Sequence, residues 1–133
     1  MLQSDLRAFL VLFLGDFDPS GDTIGVIEWL RCHGAVLGGP NDEAIMGHRL
    51  WDHGLSDVLW SGEVKHSTWI AHWEAVNRVH AYHRPESYAE LRHVILPLKD
   101  STFECLANGF AVSTTSELLD VVLNRLLPRL VVP

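Results

Sequence analysis

Cysteine is scarce in this chain. Its 133 residues include two, Cys32 and Cys105, too few for a disulfide framework. Each lies in an apolar run, where a reduced thiol packs as a small hydrophobe. The expectation is a reduced, cytoplasmic setting. Lysine and arginine are also few, ten against seventeen Asp and Glu, for a net charge of −7. Binding to a phosphate backbone needs clustered Lys and Arg, so nucleic acid is not an expected partner. No apolar run approaches the roughly 20 residues that cross a bilayer, so neither is a membrane. The stretch MLQSDLRAFLVLFLG places Arg7 before apolar residues in the manner of a signal peptide. Its apolar run is short, however, Asp5 spoils the basic region, and no small-x-small site follows. Repeats, low-complexity segments and linkers are missing, and a single globular domain over 1–133 is expected.

The standard catalytic signatures are missing too. There is no GxSxG elbow, and no glycine-rich phosphate loop or HxxxH pair. DFDPSGDTIGVIE at 16–28 begins like a calcium loop, with Asp16, Asp18, Ser20 and Asp22 in alternate ligand places. Its closing glutamate, Glu28, arrives one residue late, which costs the ligand that completes the shell. A polar turn is the simpler reading.

What the chain does contain is apolar material, 47% of residues, enough for a core without staples. Ala8–Leu14 reads as a buried strand, although a helix beginning near Asp5 fits too, and Thr23–Leu30 reads as a strand. HGAVLGGP looks like a brief strand entering a turn, and Leu55–Lys65 leans to strand through Val58, Trp60 and Val64. Ser67 or Thr68 can cap a following helix. In that helix Trp69, Trp73, Val76 and His80 share one face, expected to pack inward, and it should end near His83, before Pro85. Leu91–Leu98 and Thr102–Ala107 read as a hairpin joined by KDS, with Pro97 at an edge or bulge. In TTSELLDVVLNRLLP, Thr114 and Glu117 make a capping-box pattern and Pro128 marks the stop. Short connections favour antiparallel pairing. The expected class is α+β, a mainly antiparallel sheet with two principal helices packed on one face.

Charge and histidine are unevenly spread. Residues 1–62 hold three Arg against nine Asp and Glu. Such an acidic surface suits a basic protein partner steered by charge. Most of the eight histidines fall between 48 and 93. The segment GGPNDEAIMGHRLWDHGLSD at 38–57 reads as a long polar loop, a common place for function. There His48 or His53 can serve as base, with Asp42, Glu43 or Asp52 as acid or orienting carboxylate. Arg92 is the candidate anion clamp. His80 and His83 are three residues apart, and with His93 they form the candidate ligand set for a divalent metal, although no cofactor is required by the pattern. Two functions follow as expectations: a small acidic protein that binds another protein, as an inhibitor, immunity-like factor or accessory subunit, or alternatively a small acid/base or metal-assisted enzyme with a His/carboxylate pocket.

Overall fold

A computed structural model of the chain describes residues 1–15 and 22–131. Most of the calcium-loop pattern, residues 16–21, lies outside them. The class is α+β, and the described residues form eight antiparallel strands in two four-stranded sheets and two principal helices. The chain divides into two units, Met1–His33 with Gly109–Pro133, and Gly34–Asn108.

In the first unit the apolar run forms β2 (Arg7–Phe13), which pairs with β3 (Ile24–Leu30) and with the short β1 (Leu2–Gln3). The fourth strand, β8 (Gly109–Thr115), adds beyond β3 in the order β1-β2-β3-β8. The last helix, labelled α3 (Leu119–Val131), lays Val122 and Leu126 on Phe9, Ile24 and Val26, with Leu119, Val11 and Leu130 around them. The capping-box reading of Thr114 is therefore corrected. Thr114 is a β8 residue opposite Gly25, because a full seven-residue ladder with β3 outweighs one local cap. It is Thr115 that turns the chain, accepting from the Glu117 N–H at 3.2 Å. Pro128 does not stop the helix either. It removes one N–H near the end, but Leu119, Val122, Leu126 and Leu130 form a continuous apolar stripe, and partial burial of Leu130 carries the helix past it. Arg7 and Arg129 both pair with Glu28, at 3.0 and 2.5 Å.

The second unit has the strand order β4-β7-β6-β5. Its centre is the expected hairpin, β6 (Arg92–Pro97) against β7 (Thr102–Ala107), with β4 (Gly34–Gly38) beyond β7 and β5 (Gly62–Glu63) beyond β6. Pro97 pairs with Thr102, while β5 reaches only to Ile95. The proline thus sits where no second ladder needs its N–H, as an edge position requires. The expected strand at Leu55–Lys65 shrinks to β5. Leu55 is buried in a 3₁₀ turn instead, one of three at Asp42–Gly47, Trp51–His53 and Leu55–Asp57. Asn41 caps the first of them.

Ser67 does cap the helix that follows, α1 (Thr68–Asn77). Trp69 packs down on the sheet. A Cβ at Gly34 would meet its ring at 3.2 Å, so glycine permits the approach. The inward face then departs from the expected one. Trp73 is 41% exposed, and Val76 and His80 face solvent. Glu74 and Asn77 turn inward because both bind His83, at 2.9 and 3.0 Å. Those bonds draw residues 78–83 into turns and end the helix six residues early. A short helix, α2 (Glu86–Ala89), follows.

Candidate functional site

Glu104 is the anomaly of the second unit, a carboxylate 7% exposed in a strand whose six residues are all buried. An ionised carboxylate is stable there only if its acceptor sites are filled. Arg49 donates both guanidinium arms, at 2.7 and 2.6 Å. His93 Nε2 donates at 2.7 Å. His48 Nε2 lies at 3.2 Å, and its tautomer is set by the Leu50 N–H, which donates to Nδ1. Four donors fill about four acceptor positions. Burial alone would push the Glu104 carboxyl up. The hydrogen bonds from His93 and Arg49 outweigh it and hold the group down at about 2. The same contact raises Arg49.

His93 carries the network onward. It is 2% exposed and held edge-on against Trp69, ring centroids 5.3 Å apart. Because Glu104 has no proton to give, the Nε2 contact requires a proton on Nε2. The neutral ring then presents a lone pair at Nδ1, and Ser67 Oγ lies 2.7 Å from it, placed to donate. Ser67 is 8% exposed and also accepts the Ile70 N–H at 3.2 Å. It stands where the chain leaves β5 and enters α1, just after His66, which holds a left-handed φ of 52°. The N–H groups of Thr68 and Trp69, in the first helical turn, have no partner within the helix.

A cavity of about 630 Å³ opens onto this chain of bonds. Ser67, His93, Arg49 and His53 border it, and Leu50, Leu55, Val58, Val64 and Ile95 supply apolar wall. Ser67 and His93 also border a more open hollow toward Glu74, His83 and Tyr88.

Of the residues expected from sequence, His48 joins the Glu104 network directly and His53 lines the cavity. Asp42, Glu43 and Asp52 are exposed on the 3₁₀ turns and meet none of these groups. Arg92 is paired with Glu63 at 2.9 Å rather than standing free as a clamp. His80, His83 and His93 make separate contacts: His80 stacks near Tyr82, His83 binds Glu74 and Asn77, and His93 joins Ser67 to Glu104. Among the described residues, no group of three or more His, Cys, Asp or Glu is placed to hold a metal ion. Arg49, Ser67 and Glu104 are additions of the structure. Ser67 had a signal in sequence only as a helix cap, and Glu104 one as a single charge inside the apolar run TFECLA.

No protein-family model matches the chain, and no curated protein or solved structure does so. Among the described residues no helix is long and apolar enough to cross a membrane.

Proposed function

We propose that the 34–108 unit is a small acid/base enzyme that cleaves an ester-type acyl bond, with Ser67 as nucleophile and His93 as general base. The observation that supports it is the unbroken chain from Ser67 Oγ to His93 Nδ1 and from His93 Nε2 to Glu104, each link 2.7 Å, beside a cavity. A serine hydroxyl is a weak nucleophile until a neighbouring base takes its proton. Here Ser67 Oγ bonds to the acyl carbon as its proton passes to His93 Nδ1. Glu104 steadies the resulting imidazolium from the other nitrogen. The Thr68 and Trp69 N–H groups lie beside Ser67, suited to the oxygen that gains charge. As the ester C–O bond breaks, His93 returns the proton to the leaving alcohol. Water then frees the acyl group by the same route. Glu104, Arg49 and His48 act as positioning residues. These steps need neither cofactor nor metal, and the two buried thiols, Cys32 and Cys105, support a reduced, cytoplasmic setting.

Hydrolysis of p-nitrophenyl butyrate tests it. Ser67→Ala and His93→Gln should each lower kcat/KM by roughly 10²–10⁴-fold, whereas Trp73→Ala should leave it unchanged. Full activity in Ser67→Ala would exclude this mechanism.

A second reading, binding of a basic protein, is supported by a different observation. The outward side of α1 and the turn after it present Trp73, Val76, Val79 and Tyr82 to solvent, with Val79 93% exposed. Asp42, Glu43, Asp52 and Asp57 are exposed in the same unit. Such a partner should be retained by wild type at low salt, and released both by high salt and by Trp73→Lys. Retention that is indifferent to both would contradict this reading.

A further inference from the structure

The cavity beside Ser67 differs in character from the rest of the molecule. The chain carries −7, yet the charged residues bordering this cavity are Arg49, Lys65 and a single acid, Glu63. Their partners do not reverse the balance. Arg49 is matched by Glu104, while Glu63 receives both Lys65, at 2.8 Å, and Arg92, at 2.9 Å. The group of five therefore holds three cations and two anions. Arg92 first and Lys65 second keep the Glu63 carboxyl below its ordinary range, and with both carboxylates ionised the group still carries one surplus positive charge. The deeper wall is apolar, through Leu55, Val58 and Ile95. A volume of about 630 Å³ suits a small molecule.

We propose that this cavity binds a small amphipathic anion, an apolar chain ending in a carboxylate or phosphate, and that the enzyme's substrate is an ester of that class. The chain lies on Leu55, Val58 and Ile95. The anionic end lies at the Lys65 side, where the local field favours negative charge and a cationic analogue of equal size meets repulsion. The substrate half of the proposal rests on the acyl-transfer reading; the binding half stands on the cavity alone.

Calorimetric titration of the full chain with octanoate, octyl phosphate and octylamine separates the two halves. Octanoate or octyl phosphate should bind at least tenfold more tightly than octylamine, and the stronger of the two identifies the headgroup as carboxylate or phosphate. Lys65→Glu, at a side chain largely in solvent, should erase or invert that preference. Ser67→Ala should keep it. Equal binding of octanoate and octylamine, or no binding of any of the three, would overturn the proposal. A Ser67→Ala protein that keeps the anion preference, together with a wild type that hydrolyses no ester, would retain the ligand class and remove the acyl-transfer reading. Ester hydrolysis lost in Ser67→Ala but without any anion preference would do the reverse.

Discussion

Glu104 is a buried carboxylate in a strand whose six residues are all buried, and the surrounding residues compensate for its charge with four donors. Removing its charge while keeping its shape isolates what the network contributes. Glu104→Gln leaves Arg49 without its bidentate acceptor and forces His93 Nε2–H onto an amide oxygen. Arg49 is half in solvent and can rehydrate, so the expected loss is about 1–3 kcal/mol, measured by urea unfolding. The pH dependence follows with a definite sign. The Glu104 carboxyl is held at about 2, below its ordinary 4.5. Its contribution is therefore complete above pH 4.5 and is lost as pH falls toward 2, with an upper size of about 3 kcal/mol. Wild type should lose stability across that window more steeply than Glu104→Gln. Parallel curves for the two proteins would mean that the network does not hold the carboxylate ionised. At this scale the sequence was partly legible. His48, His53 and His93 were all candidates, and the KDS hairpin with period-two alternation places His93, Ile95, Glu104 and Leu106 on one face. Arg49 was not legible, because it reaches Glu104 from 55 residues away through a segment of 3₁₀ turns without periodicity. Ser67 was visible only as a cap, since a hydroxyl that caps a helix and one that faces a histidine look alike until the partner strand is placed.

Among the elements, α1 and α3 contrast. In α3 the apolar stripe matches the buried face, and Leu126→Ala should cost about 2–5 kcal/mol by opening a cavity against Phe9 and Val26. In α1 no residue is fully buried, so Trp73→Ala should change stability by about 1 kcal/mol or less. Thermal melts of the two variants side by side check the contrast, and a Trp73→Ala loss as large as that of Leu126→Ala would put the tryptophan in a core after all. The helical period of α1 was readable, but its inward face was not. Trp69, Trp73 and Val76 mark an apolar stripe, whereas Glu74 and Asn77 are drawn in by His83, a partner beyond the helix end. Thr114 teaches the same lesson at the other end of the chain. Its local capping pattern is genuine, but β3 offers a seven-residue ladder, and long-range pairing decides. Thr114→Ala should consequently shift stability by no more than about 0.5 kcal/mol.

At the scale of the whole chain, the class, antiparallel pairing and number of principal helices were legible from punctuation and periodicity. The division of the strands between two sheets was not, because β8 follows β7 after a single residue yet pairs with β3, more than 70 residues earlier. That return places the hairpin of His93 and Glu104 inside the 34–108 unit together with Ser67, Arg49 and His48. The central question is whether that assembly makes one serine reactive. Incubation with an alkyl fluorophosphonate, followed by intact mass and peptide mapping, tests this directly. The prediction is a single adduct on Ser67 in the wild type, lost in His93→Gln. An unlabelled wild type, or an adduct elsewhere that survives His93→Gln, would contradict it.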